Sequence, residues 1–149
     1  MASMSVPRVR ALSFAPLAAL LAACGGGNVD SVQPTPEPTV LTVTFSGTLT
    51  RNSAYTHPFP VTDQGNVSVY LLTSTDVRNP DAAGITLGVS LGTWNGSSCS
   101  TVIANDQMVP GTSLPLAGRA TAAGNLCVRV YDVGFVPVAA NYELLIDHY

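Results

Sequence analysis

From residue 40 onward, apolar and polar side chains alternate along the chain, which is the pattern of β-strands with one buried face. The first such segment is VLTVTFSGTLT at 40–50, with apolar odd positions at Leu41, Val43, Phe45 and Leu49. The alternation recurs in NVSVYLL at 66–72, GITLGVSL at 84–91, NLCVRVYDV at 125–133 and NYELLIDHY at 141–149. The residues expected to face inward in the last three are Ile85, Leu87, Val89 and Leu91, then Leu126, Val128 and Val130, then Tyr142, Leu144 and Ile146.

Prolines and polar runs divide the remaining segments. YTHPFPV at 55–61 also alternates, but Pro58 and Pro60 lack an amide hydrogen, which confines this strand to the edge of a sheet. TSTDVRNPDAAG at 73–84 predicts a polar loop, and WNGSS at 94–98 predicts a turn before a strand in CSTVIA. Shorter segments follow around TSLPLA and GRATAA. Short strands with turns roughly every eight to twelve residues predict an all-β sandwich or barrel.

The succession of these segments resembles the bacterial pre-peptidase C-terminal domain. The resemblance lies in FSGTL, GNVSVYL, ITLGVSL and the closing GNLCVRVYDVG and NYELLI, and it covers roughly residues 43–147. It implies a jelly-roll-like antiparallel β-sandwich of about eight short strands, here residues 40–149. It also implies a non-catalytic companion of secreted enzymes, which in some members binds calcium or polymers such as collagen. Cys127 departs from the family, whose members usually carry an aromatic residue there.

The first 23 residues have the pattern of a secretory signal peptide. Arg8 and Arg10 precede the apolar run 11–23, and no acidic residue occurs before Asp30. At about 1.5 Å per residue the run would extend about 20 Å as a helix, too short for a hydrocarbon core of about 30 Å. A positive start, a short apolar run and a small-residue end predict export rather than a membrane span.

The end of that run, Leu21-Ala22-Ala23-Cys24, resembles the lipobox of bacterial lipoproteins. The resemblance implies cleavage before Cys24, a diacylglycerol on its sulfur and a membrane anchor. The alternative is an ordinary signal peptide in which Cys24 has no role. Residues 24–39 then form a lipidated cysteine and a Gly- and Pro-rich tether. Because Gly25 is not the aspartate that commonly retains lipoproteins at the inner membrane, the outer membrane is favoured where two membranes exist.

The charge of the chain excludes some partners. Beyond residue 23 there are four arginines, no lysine and nine carboxylates, a formal net charge of −5. An acidic surface without a basic patch argues against nucleic acid and against polybasic membrane binding.

The two cysteines beyond Cys24 predict a disulfide. Cys99 and Cys127 are an even pair in an exported protein, and a bridge closing this loop would stabilise the fold by about 3–4 kcal/mol. A metal site is the rival, but the two cysteines lack CxxC spacing. Because Leu126 and Val128 face inward, Cys127 is expected on the outer face of its sheet, bridged to an adjacent strand or a folded-over loop.

Three further groups of residues are candidates for chemistry. The first group is the two histidines, His57 and His148, which are expected on the surface. Without a GxSxG motif they provide no catalytic triad, so we expect no enzyme activity.

A second group, in the polar loop, offers oxygen ligands for calcium, although the same residues favour turns without any ion. The three residues of that second group are Asp76, Asn79 and Asp81.

The third candidate is Trp94, the only tryptophan. It either covers one end of the core or offers an exposed aromatic surface to a sugar ring or a protein.

Together these features predict an envelope lipoprotein that displays a non-catalytic binding or structural domain. Its expected partners are the membrane, through Cys24, and an envelope protein or polymer ligand; no cofactor other than calcium at the candidate loop is implied. The alternative function is an accessory subunit that presents substrate or calcium to a separately encoded secreted peptidase or other exported enzyme.

Overall fold

The computed structural model describes residues 38–149, so the predicted signal peptide, Cys24 and most of the tether lie outside the described residues. The described part contains eight β-strands and no helix. The strands are β1 (Leu41–Thr50), β2 (Ala54–Val61), β3 (Gly65–Asp76), β4 (Leu87–Trp94), β5 (Cys99–Met108), β6 (Leu116–Ala120), β7 (Gly124–Tyr131) and β8 (Ala139–His148). Accordingly, no helix within 38–149 is long and apolar enough to cross a membrane.

The strands form two sheets of four. The first sheet has the order β1-β8-β3-β6, and the second sheet has the order β2-β7-β4-β5. Every neighbouring pair is antiparallel. Seven connections join the eight strands, and all but the β4–β5 hairpin pass from one sheet to the other, which is the order of a jelly roll. The predicted all-β jelly-roll-like sandwich of about eight strands is therefore confirmed.

The core between the sheets is formed by the rows that the alternation assigns to the inside. Val67, Val69 and Leu71 of β3 are fully or almost fully buried, and the central strands β4, β7 and β8 contribute the same kind of row. The rows of these three strands include Leu87, Val89, Leu91, Val128, Val130, Tyr142, Leu144 and Ile146, and residues of the other strands complete the core. Burying each aliphatic side chain contributes roughly 1.5–3 kcal/mol, which makes this core the main source of stability.

Strand β2 lies at the edge of its sheet, as its prolines predict. Pro58 and Pro60 are exposed and stand opposite Cys127 and Asn125 of β7. A proline inside the sheet would remove a hydrogen bond from a ladder on one side, so the free edge is where these residues cost least.

The polar loop expected from residue 73 begins later than predicted. Strand β3 continues through Thr73 to Asp76, because its register on β8 shifts between Leu71 and Thr73. Leu72 points outward, as alternation after Leu71 requires, and is 36% exposed; the shift leaves Thr73 outward as well and turns Ser74 inward. A bulge thus keeps the polar run TSTD paired to β8 although its side chains break the simple alternation.

The region after β4 also differs in detail from the prediction. Strand β5 runs four residues past CSTVIA to Met108, and the segments TSLPLA and GRATAA form the single strand β6. Two register shifts between β4 and β5 interrupt the alternation of β5, which is why its sequence pattern is weak.

Candidate functional site

The Cys99–Cys127 disulfide lies on the outer face of the second sheet. Cys99 begins β5 and Cys127 lies on β7, and their Cα atoms are 5.9 Å apart. The predicted pairing of the two cysteines is present. The two bridged strands, however, are not neighbours: they flank β4, so the bridge crosses the outer side of that strand.

Gly92 of β4 explains how the two cysteines meet. It stands directly opposite Cys127, and the β4–β5 register shifts between Leu91 and Gly92. A Cβ added to Gly92 would lie against the Ser100 carbonyl and 2.9 Å from the Thr101 Cα. Only glycine lets the start of β5 come so close, and this approach, together with the bridge, leaves Cys127 with 0% exposure although it points away from the core.

The turn between β4 and β5 is held by the side chain of Asn95. Its Oδ1 accepts hydrogen bonds from the amides of Ser97 at 2.9 Å and Ser98 at 2.8 Å, and its Nδ2 donates to the Ser98 hydroxyl at 2.9 Å. Gly96 has a positive φ of 98°, which this turn requires. These bonds and the adjacent disulfide hold the backbone that follows Trp94.

A groove of about 540 Å³ lies between this turn and the edge strand β2. It is lined by Pro58, Phe59, Pro60, Trp94, Asn95, Gly96 and Asn125, none of which carries a charge. Trp94 is half-buried and does not belong to the cluster of core side chains. Because it lines the groove, Trp94 has the position that the exposed-surface alternative needs.

His57 is not the surface imidazole that was expected. It is half-buried between the sheets, where its ring stacks on Phe45 with centroids 4.7 Å apart and its Nε2 lies 2.7 Å from the Tyr142 hydroxyl. Burial lowers the pKa of His57, and burial followed by the nearby Tyr55 raises the pKa of Tyr142. The expectation failed because His57 shares the inward parity of Phe59 and Val61, which the sequence pattern already contained.

His148 is also buried rather than exposed. It is 2% exposed, packs against the ring of Phe59 with centroids 5.3 Å apart, and lies 3.2 Å from the Tyr149 carbonyl through Nδ1. Strand β8 continues to His148 and places it in the row of Ile146. The expectation of a surface imidazole is wrong here too, because the strand period decides the direction of the side chain.

Two of the three candidate calcium ligands, Asp76 and Asn79, form hydrogen bonds within their own turn. Asp76 Oδ1 accepts from the amide of Arg78 at 3.0 Å, and the Asp76 carbonyl accepts from the amide of Asn79 at 3.1 Å. Asp81 follows in the same turn region. Within residues 38–149, no group of three or more His, Cys, Asp or Glu side chains is arranged to hold a metal ion. These contacts are the ones expected if the residues form a turn without an ion.

A carboxylate that the sequence did not single out organises the opposite end of the sandwich. Asp132 accepts hydrogen bonds from the amides of Asn52 at 2.9 Å, Gly134 at 2.7 Å and Val136 at 3.1 Å. Burial alone would raise the pKa of Asp132, but these backbone hydrogen bonds, with one from Phe135, outweigh it and lower the pKa. The sequence could have indicated this turn, because Asp132 precedes Gly134 by two residues, a spacing typical of Asx turns.

A second unforeseen contact lies on the outer face of the second sheet. The Tyr131 hydroxyl donates to Asp106, and burial followed by this hydrogen bond raises the pKa of Tyr131 to about 12. The ring lies over Gly88, where any Cβ would collide with it, and the Arg129 guanidinium stands 5.7 Å from the ring centre. This contact braces β5 against β7 across β4, as the disulfide does further along.

Comparison with protein families and with curated proteins found no family model and no curated protein that matches this chain.

Proposed function

We propose that the protein is a lipid-anchored lipoprotein of the bacterial cell envelope that displays a non-catalytic, disulfide-bonded β-sandwich as a binding or structural module. The observation that carries this proposal is Leu21-Ala22-Ala23-Cys24 at the end of a short apolar run. The Gly- and Pro-rich stretch that follows leads into a β-domain whose first strand begins at Leu41.

The physics of lipid anchoring fits this arrangement. A buried acyl chain contributes about 0.8 kcal/mol per CH₂, and stable anchoring takes more than one chain, which a diacylglyceryl cysteine supplies. The fifteen residues from 25 to 39 span at most about 50 Å when fully extended, at about 3.3 Å per residue. They would hold the domain at the envelope surface without burying it there. Gly25 favours the outer membrane over the inner one.

The groove beside Trp94 supports the binding part of the proposal. Its lining offers an aromatic face, two exposed prolines and the amides of Asn95 and Asn125, without any charge. The disulfide and the Asn95 turn fix its walls, so little conformational entropy is lost when a ligand is bound. An uncharged lining on an acidic protein suits a neutral envelope polymer or an uncharged protein surface.

Substitution of Cys24 by serine tests the anchor. Because a hydroxyl does not accept the diacylglycerol, Cys24→Ser is expected to lose all incorporation of labelled palmitate. We expect it to move from the detergent phase to the aqueous phase in detergent partitioning.

The matched control is the double variant Cys99→Ser/Cys127→Ser, which loses two cysteines but keeps Cys24, and it should incorporate palmitate as the unmutated protein does. Unmutated protein that remains unlabelled and in the aqueous phase would show that Cys24 is not an anchor.

A further inference from the structure

The four edge strands of the sandwich are not equally protected against pairing with another chain. Strand β2 carries Pro58 and Pro60, and β6 is only five residues long and carries Arg119. Strand β5 has two register shifts against β4 and carries Asp106. Prolines, charges, short length and bulges are the devices by which natural sheets prevent edge-to-edge pairing.

Strand β1 has none of these devices. It is ten residues long, LTVTFSGTLT, without proline or charge. Its register on β8 is unbroken from the Leu41–His148 pair to the Thr50–Ala139 pair. Within residues 38–149 no strand pairs with its other edge. A long, straight, uncharged edge is a template for an added strand.

The outward row of β1 is symmetric about its centre. The row consists of Thr42, Thr44, Ser46, Thr48 and Thr50, with serine at the middle and two threonines on each side. When two copies of the strand pair antiparallel about a twofold axis at Ser46, every outward pair joins hydroxyl side chains. Threonine and serine pairs across antiparallel strands are mutually stabilising.

In the same antiparallel pairing about Ser46, the inward-facing side chains of the two β1 strands also fit one another in size. Val43 of one copy would face Leu49 of the other, and Phe45 would face Gly47, beside the aromatic tip of the second copy's Tyr142. Val43 and Phe45 are only half-buried, and Leu41 is 44% exposed, so apolar surface remains at this edge. A second copy would cover it.

Charge also permits this approach. The domain is acidic, so two copies repel each other over most surfaces, but β1 itself is neutral. The nearest carboxylate beside the centre is Glu143, opposite Ser46 on β8. Across the paired strands, two copies of Glu143 would be about 14 Å apart, at three strand spacings, which exceeds the screening length of about 8 Å in physiological salt.

We propose that two copies of the chain associate through β1, antiparallel about a twofold axis at Ser46, and join their first sheets into one sheet of eight strands. The contact is isologous and closes on itself, so it yields a dimer and not a fibre. This inference does not depend on lipidation of Cys24.

Cysteine cross-linking of the full-length protein, in whichever cell fraction contains it, tests the register. Ser46→Cys places the two new thiols opposite each other at the axis, within the distance that a disulfide spans. Mild oxidation should therefore convert most of this variant to a covalent dimer on non-reducing gels. Thr42→Cys is the matched control: its partner is Thr50, and the two copies of residue 42 lie about 27 Å apart, so it should remain at the background of the unmutated protein.

Charge placed on the edge tests the same contact without cross-linking. Thr44 of one copy faces Thr48 of the other, so Thr44→Lys/Thr48→Lys opposes like charges and should raise the dimer dissociation constant at least tenfold in sedimentation of the detergent-solubilised protein. Ser68→Lys, on the same face of the inner strand β3, should leave the constant unchanged. An unmutated protein that sediments as a monomer, or Thr42→Cys cross-linking as readily as Ser46→Cys, overturns the proposal.

Discussion

The two ends of the sandwich are closed by different means, although strand β7 runs from one to the other. At the end where β7 begins, a covalent bridge and the Asn95 turn hold the start of β5 over β4. At the end where β7 stops, the carboxylate of Asp132 holds the turn after β1 and the loop before β8. The closure at the first end requires the two cysteines to be oxidised, and the closure at the second end requires the Asp132 carboxylate to be ionised.

The difference follows from the backbone that each end must hold. Near Gly92 the start of β5 is drawn across a neighbouring strand, its register is broken and its sequence is poorly patterned, so side-chain packing alone holds it weakly. Near Asp132 the chain leaves unpaired backbone amides in two loops, and one carboxylate can accept several of them. The covalently closed end is also the end that contains the groove.

The largest effect is expected from removing the bridge. Cys99→Ser/Cys127→Ser should lose about 3–4 kcal/mol of unfolding free energy, because the unfolded chain regains the entropy of a loop closed over 28 residues. For a domain of this size the melting temperature should fall by roughly 15 °C, while the β-sheet circular dichroism at room temperature is retained.

Reductant provides the internal control for this prediction. It should lower the melting temperature of the unmutated protein and leave that of the double serine variant unchanged. Two titratable thiols from Cys99 and Cys127 in the unreduced folded protein would contradict the bridge.

A smaller effect is expected at the other end. Asp132→Ala should cost about 1–2 kcal/mol, because the amides of Asn52, Gly134 and Val136 lose a charged acceptor. Asp63→Ala is the matched control: Asp63 accepts only from the adjacent amide of Gln64, so its loss should change stability by no more than about 0.5 kcal/mol.

The pH dependence of the same site has a defined sign. Because the folded pKa of Asp132 lies below its unfolded value of about 3.9, its contribution is complete above that pH and is lost as the pH falls through the folded pKa. Asp132→Asn keeps an acceptor but does not titrate at this position. The stability advantage of the unmutated protein over Asp132→Asn should therefore shrink from pH 5 to pH 3 in denaturant titrations, and a constant difference would exclude this role.

The fold could be predicted well because alternation and proline report directly on the backbone. The inward rows of β4, β7 and β8 and the edge position of β2 follow from single residues such as Val89 and Pro58, whose physics is local. The cysteine pair was also predictable from its count. These features need no knowledge of which strands become neighbours.

The remaining features depend on contacts between distant segments. The bulge at Leu72, the passage of the bridge across β4 and the three amides gathered by Asp132 are properties of the assembled sheets. Trp94 could be recognised as a candidate, but the prolines and Asn125 that complete its groove come from other strands. The inward directions of His57 and His148 were within reach, because strand parity already assigned both side chains to the inside.

Mass spectrometry of the amino-terminal peptide of the membrane-purified protein tests the central proposal most directly. We expect the mature chain to begin at Cys24 and that residue to carry the mass of a diacylglyceryl group, with or without a further acyl chain on its amine. A mature chain that begins elsewhere, or an unmodified Cys24, would contradict the proposal that this protein is an envelope lipoprotein.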